Sequence, residues 1–228
     1  SGGSNTGSSG GWELIAKQAD VAQQLFSSAY QNNATHHFLE NENDSSQSTF
    51  MSIGNLNKNN YADTDGKYKF KLVWGGMEVD SSGINKEVVW TQTSWLTEGG
   101  ASTGYSAIQG FQEIGSSGFN TGATTGSAKQ MDFKGLGKSN ISSTCVLDGN
   151  GSSAGYWNCV GALKTYYSGI KGPLGKTASS MYLYISAPSS SGSVLVLNGE
   201  FTQSGGTLSA DNTAIQVAGD YSKTGGNL

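Results

Sequence analysis

The stretch Asp65-Gly-Lys-Tyr-Lys-Phe-Lys-Leu-Val-Trp-Gly-Gly76 decides the fold. Tyr68, Phe70, Leu72 and Trp74 alternate with Lys67, Lys69 and Lys71. A period of two sends the apolar side chains to one face of an extended strand and the lysines to the other. A helix would scatter the three lysines around its axis. Asp65-Gly66 supplies a turn before the strand and Gly75-Gly76 a turn after it. The alternation predicts a half-buried antiparallel strand on which further strands pack.

The same texture recurs on both sides. Residues 12–18 alternate as a first strand, and residues 86–95 are β-branched and aromatic, as strands are. Residues 104–114, with Tyr105, Ile108, Phe111 and Ile114, predict strand and turn. Residues 131–136, 143–147, 156–163 and 181–185 predict short strands. Residues 31–66 are polar and Asn-rich, with Phe50, Met51, Ile53 and Leu56 as their apolar anchor, and residues 115–130 form a Gly/Ser/Thr-rich loop. One helix is expected: Asp20 stands three before Gln23, a capping-box spacing, and Val21, Ala22, Leu25, Phe26, Ala29 and Tyr30 follow at helical intervals. Turn signals this close together favour an all-β sandwich over a βαβ sheet.

Residues 1–11 and 188–193 have the composition of linkers, and beyond the second the pattern changes. Gly199-Glu-Phe-Thr-Gln-Ser-Gly-Gly-Thr-Leu208 is echoed twenty residues later by Gly219-Asp-Tyr-Ser-Lys-Thr-Gly-Gly-Asn-Leu228. Leu195 and Leu197 map likewise onto Ile215 and Val217. This period reads as coils of a β-solenoid over residues 194–228. The chain thus divides into a linker (1–11), a sandwich domain (12–187), a linker (188–193) and the start of a solenoid (194–228).

Composition bounds the function. Only 13% of residues are charged, glycine numbers 34, and the net charge is −4. All 13 basic residues are lysine. The lack of arginine argues against nucleic-acid recognition, since arginine supplies most bidentate contacts to phosphate and guanine. There is no polybasic patch and no transmembrane run, so membrane insertion is not expected. Solubility carried by Ser, Thr, Asn and Gly is the habit of extracellular and cell-surface chains. Without an initiator Met or signal peptide, the chain is expected to be processed or part of something longer. In that setting Cys145 and Cys159 predict a disulfide, and Asn33, Asn43, Asn140 and Asn150, each opening an Asn-x-Ser/Thr sequon, are candidate glycosylation sites.

Motifs for chemistry are sparse. Residues 169–177 imitate a phosphate loop, but Ile170 stands where the first glycine is required, and Gly172-Pro173 reads as a turn. His36 and His37, near Glu40, Glu42 and Asp44, lack zinc spacing and read as a solvated loop. Asp63 and Asp65 are candidate calcium ligands, though Asx residues also suit a tight turn; no other cofactor is expected. Gly104-Tyr-Ser-Ala-Ile108 lacks the closing glycine of a nucleophile elbow. Glu87, Glu98, Glu113, Asp132 and Asp148 show no glycosidase pairing, so no catalytic residue is assigned. Tyr156, Trp157, Tyr166 and Tyr167, which flank Cys159, are the candidate carbohydrate-binding residues, because sugar faces stack on such rings. The competing reading of these rings, and of Trp90, Trp95 and Tyr105, is that they fill the core.

Asp65-Gly-Lys with Lys71-Leu-Val-Trp74, Trp90-Thr-Gln-Thr-Ser94, Leu147-Asp-Gly149, Trp157 with Val160-Gly161, and Gly169-Ile-Lys-Gly-Pro173 occur in this order. Together they resemble a lectin-like module of secreted multidomain surface proteins, over about residues 12–187. Residues 194–228 resemble the Ser/Thr-Gly-Gly repeats of filamentous-haemagglutinin and autotransporter-type adhesins. The resemblances imply a jelly-roll or lectin-like sandwich and a non-enzymatic surface adhesion or assembly protein. Its expected partners are glycans or other surface proteins, with self-association through the terminal β segments. A purely structural filament subunit is the first alternative, and a secreted polysaccharide-active enzyme the second.

Overall fold

A computed structural model describes residues 11–19, 24–27, 38–76, 86–98, 108–117, 133–138, 145–150, 158–164, 169–173 and 176–187, with the strand backbones at 194–197, 201–203, 214–217 and 221–223. The chain falls into two compact units, Ser1–Ala187 and Pro188–Leu228.

The first unit is built on one antiparallel sheet. Its strands are β1 (Trp12–Ala19), β2 (Thr49–Met51), β3 (Tyr68–Gly75), β4 (Lys86–Gln92), β5 (Gln112–Ser117) and β10 (Ser180–Ser186), in the order β2-β1-β10-β3-β4-β5. The alternation in β3 does what it predicts: Tyr68, Phe70, Leu72 and Trp74 are buried, Lys69 is exposed and Lys71 half-buried. Its neighbours repeat the pattern, so Met181, Leu183 and Ile185 of β10 and Val88 and Trp90 of β4 line the same buried face. A bulge between Leu14 and Ala16 places an extra residue in β1, and both Ile15 and Ala16 are buried there. A second bulge in the β4–β5 pairing leaves Ile114 54% exposed, the one large apolar side chain so exposed among the described residues.

Shorter strands complete the unit: β6 (Phe133–Lys138) with β7 (Leu147–Asn150), and β8 (Ile170–Lys171) with β9 (Thr177–Ala178). Phe133 brings β6 to the large sheet, its ring centroid 4.8 Å from that of Trp90 and 6.4 Å from that of Trp74. Trp90 lies 5.4 Å from Phe70, and Trp95 4.9 Å from Tyr68. These rings supply bulk that a leucine-poor chain otherwise lacks. For Trp90 and Trp95 the core reading therefore holds, and Tyr105 lies outside the described residues.

Gln92, fully buried, ties the two sets of strands. Its Oε1 accepts from Trp90 Nε1 (2.8 Å) and the Leu136 backbone N–H (3.0 Å), and its Nε2 donates to the carbonyls of Ser94 (2.8 Å) and Leu136 (2.7 Å). Every hydrogen-bonding position of the carboxamide is used, which is what makes its burial tolerable. Gly149 of β7 is demanded by close approach: a Cβ there would lie 2.4 Å from the backbone oxygen of Asn158.

Cys145 and Cys159 form the expected disulfide, with Cα atoms 5.9 Å apart. Beside it Val160 bridges Leu147 of β7. In place of a phosphate loop, Ile170 and Lys171 pair antiparallel with Ala178 and Thr177, and Gly172 N–H donates to the Lys176 carbonyl (2.9 Å). Phe50, Met51 and Ile53 are buried and Leu56 partly so, as an anchor for residues 31–66 should be. Ile53–Asn55 and Lys58–Asn60 are short 3-10 turns.

The helix expected around residues 20–30 is corrected at residues 24–27. Phe26 forms a parallel bridge with Leu163, donates its N–H to the Ala162 carbonyl (3.1 Å) and accepts from the Lys164 N–H (3.3 Å). Tertiary partners have taken the backbone groups that a helix would pair internally, and they bury Leu25 and Phe26 together.

Glu40 sits at the margin of this core. Burial raises its carboxyl pKa above the ordinary range, against an opposing hydrogen bond from Thr49. The folded chain therefore holds this proton to higher pH than the unfolded chain does. The folded state is favoured below the unfolded pKa, and that advantage is lost as pH rises through the folded value. Glu40→Gln keeps an acceptor for Thr49 and removes the titration. Thermal melts from pH 4 to 8 should show the variant losing less stability than the parent as pH rises.

In the second unit, β11 (Val194–Leu197) pairs in parallel with β13 (Ala214–Val217), and β12 (Phe201–Gln203) with β14 (Tyr221–Lys223). Val194 lies opposite Ala214 and Phe201 opposite Tyr221, so both pairs are offset by the same twenty residues as the sequence echo. Parallel pairing in register is how neighbouring copies of a repeat stack.

Candidate functional site

One face of the large sheet is buried in the core, and the other carries its accessible side chains. Strand register fixes its rows. Trp12 of β1, Ser186 of β10, Lys69 of β3 and Thr91 of β4 stand in one row, and Leu14, Tyr184, Lys71 and Val89 in the next. Lys17, Tyr182, Val73 and Glu87 form a third. All are half-buried except Lys69, which is exposed. This is the accessibility of side chains standing upright on the outward face of a sheet.

Within these rows the aromatic rings and lysines converge. Lys71 Nζ lies 4.8 Å from the centroid of Trp12 and 4.8 Å from that of Tyr184, and Lys69 Nζ lies 5.5 Å from Trp12. These are cation–π distances. Tyr182 and Tyr184 stack side by side, centroids 6.5 Å apart and planes inclined by 21°. Burial raises the Tyr184 phenol pKa, with Tyr182 and Glu87 adding to the shift, so the ring remains a neutral hydrogen-bonding group at physiological pH. Trp12, Lys71, Tyr184 and Tyr182 thus form a ladder of flat, half-accessible surfaces across three strands, with a cation held between two of them.

The candidate carbohydrate-binding residues Tyr156, Trp157, Tyr166 and Tyr167 lie outside the described residues, as do Asn33, Asn140, His36, His37 and Asp132. Trp12, Tyr182 and Tyr184 were not among the sequence candidates, although a signal was present. In Met181-Tyr-Leu-Tyr-Ile185 the apolar residues claim one face, and period two then sends both tyrosines to the other.

The remaining candidates occupy simpler places. Asp63 Oδ1 accepts the backbone N–H of Asp65 (2.9 Å) and Lys67 (2.8 Å), which closes the turn before β3, and Asp65 is exposed. No group of three or more His, Cys, Asp or Glu suited to a metal occurs among the described residues. Asn43 is exposed in a turn, and Asn150 ends β7. Glu98 pairs with Lys58, Glu113 is exposed, Glu87 stands on the outward face of β4, and Asp148 is buried in β7. No helix among the described residues is long and apolar enough to cross a membrane. Compared with models of known families, with curated proteins and with solved structures, the chain matches none.

Proposed function

We propose that this is an extracellular, non-enzymatic surface protein of adhesion or assembly, and that the outward face of its large sheet binds polysaccharide. The observation that carries the reading is the ladder of Trp12, Lys71, Tyr184 and Tyr182. The apolar faces of a pyranose stack on aromatic rings, while neighbouring polar groups address its hydroxyls. Here the rings stand on regular strands, so the platform exists before the ligand arrives and little ordering cost is left to binding. In this reading the large sheet and the shorter strands make a lectin-like β-sandwich. The disulfide supports an oxidising, extracellular location.

A second observation favours the structural alternative for the second unit. Strands paired at a twenty-residue offset present the same backbone edge at each step, so residues 194–228 act as the first coils of a β-solenoid open to further stacking. The two roles are compatible in one surface protein: a binding sheet in one unit and an assembling repeat in the other.

The test is affinity electrophoresis of the full chain through gels containing soluble polysaccharides of differing backbone and charge. The parent should be retarded by at least one of them. Trp12→Ala and Tyr184→Ala should each weaken retardation about ten-fold, the loss of one base- or sugar-sized stacking contact of roughly 1–3 kcal/mol. Their melting temperatures should stay within a few degrees of the parent, because these rings lie off the core. Retardation unaffected by both substitutions would place any glycan site elsewhere.

A further inference from the structure

We infer that the polysaccharide bound by this face is acidic, a polymer carrying carboxylates on its sugar rings; this deepens the reading above and rests on it. The chain as a whole is negative, at −4. The outward face departs from that balance: among the described residues of its paired strands, Lys17, Lys69 and Lys71 stand on it against the carboxylate of Glu87. Lys17 is committed, its ammonium donating to the Ser45 carbonyl (2.6 Å). Lys69 and Lys71 instead have their ammonium groups over the rings.

That placement matters for a stacked ligand. Lys71 Nζ lies over the rings of both Trp12 and Tyr184, 4.8 Å from each centroid, so a sugar docked beside these rings brings its substituents within reach of that cation. A carboxylate there meets a cation whose position the two rings have fixed. Lys69 and Lys71 are two residues apart on one strand, about 7 Å along the backbone, and both ammonium groups reach the Trp12 ring. Lys69 thereby adds a second cation to the same stretch of the face. Glu87 lies on the adjoining row, beyond Val73, and repels an anion from that end of the face. The polymer's charged edge is thereby directed toward β1 and the start of β3.

The cations also separate this occupant from other anions. Lysine is a compact point charge and lacks the planar fork by which arginine holds phosphate in two places, and the chain contains no arginine. Two tyrosines with nearly parallel rings, centroids 6.5 Å apart, offer more aromatic surface than an acidic peptide side chain can use. Charge and shape together favour a uronic-acid polymer.

Polygalacturonate and its fully methyl-esterified form test this, because esterification removes the charges and leaves the rings in place. The full chain should bind polygalacturonate at least ten-fold more tightly than the ester. Binding should weaken as salt rises from 10 to 150 mM, over which the screening length shrinks from about 30 Å to about 8 Å. Lys69→Gln with Lys71→Gln should abolish the preference while leaving the melting temperature near that of the parent, and Glu87→Gln should strengthen binding. Equal affinity for acid and ester, lost in Trp12→Ala, would overturn the acidic assignment and leave the polysaccharide reading standing. Binding to neutral polymers alone would do the same. Failure to bind any polysaccharide would remove both.

Discussion

Replacing Trp90 by alanine should cost the first unit about 3–5 kcal/mol of folding free energy, the usual range for deleting a large aromatic from a core. The ring is fully buried between Phe70 of the same sheet and Phe133 of β6, at 5.4 and 4.8 Å. It therefore holds the sheet and the β6–β7 pair together. Loss of its hydrogen bond to Gln92 is the smaller effect. Gln92 Oε1 still accepts from the Leu136 N–H at 3.0 Å, so the carboxamide keeps partners on both atoms. The cavity dominates.

Since domains of this size are stable by about 5–15 kcal/mol, the variant should keep its fold at low temperature and lose most of its margin. Urea unfolding followed by circular dichroism should show a lower midpoint for the first unit with an unchanged slope. A loss below about 1 kcal/mol would mean that the rings do not bridge the sheet and the β6–β7 pair in solution. Trp12→Ala is the internal control: a half-buried tryptophan on the opposite face should cost far less.

What the sequence disclosed, and what it withheld, follows from how local each feature is. The face of β3 is written in four apolar residues alternating with lysines, and no tertiary contact is needed to read it. The twenty-residue echo is equally local, because parallel stacking of repeats reproduces the sequence period as the pairing offset: Leu195 meets Ile215, and Leu197 meets Val217. Strand order is another matter. β10 lies between β1 and β3, and the side chains of Met181, Leu183 and Ile185 say only that the strand is buried on one side, not beside which neighbour.

The expected helix failed at residues 24–27 for a related reason. Spacing alone favoured it, whereas Phe26 pairs with a segment far along the chain, around Leu163. The ladder on the outward face combines both limits. That Tyr182 and Tyr184 share a face was legible from their alternation. That Trp12 and Lys71 join them depends on β1 and β3 flanking β10, and no spacing in the sequence reports that.

Removing the disulfide by Cys145→Ala with Cys159→Ala should lower the stability of the first unit by about 3 kcal/mol in the chain-entropy account, for half-cystines 14 residues apart. Both half-cystines are fully buried, so the substitutions also leave apolar space unfilled. The bond closes a segment that backbone pairing closes as well: Leu147 N–H donates to the Val160 carbonyl at 2.9 Å, and Val160 N–H returns the bond at 3.0 Å. That pairing holds the loop together in the folded state only. The disulfide acts in the unfolded state, where it limits how far residues 145 and 159 separate, and the two contributions therefore add. For a unit of this size the loss corresponds to a fall in melting temperature of about 6–12 °C. Thiol titration of the denatured, unreduced parent should find no free thiol, and two after reduction. Two free thiols before reduction would refute the bond and withdraw the support it lends to an extracellular location. A variant that melts with the parent would show that strand pairing alone fixes the segment.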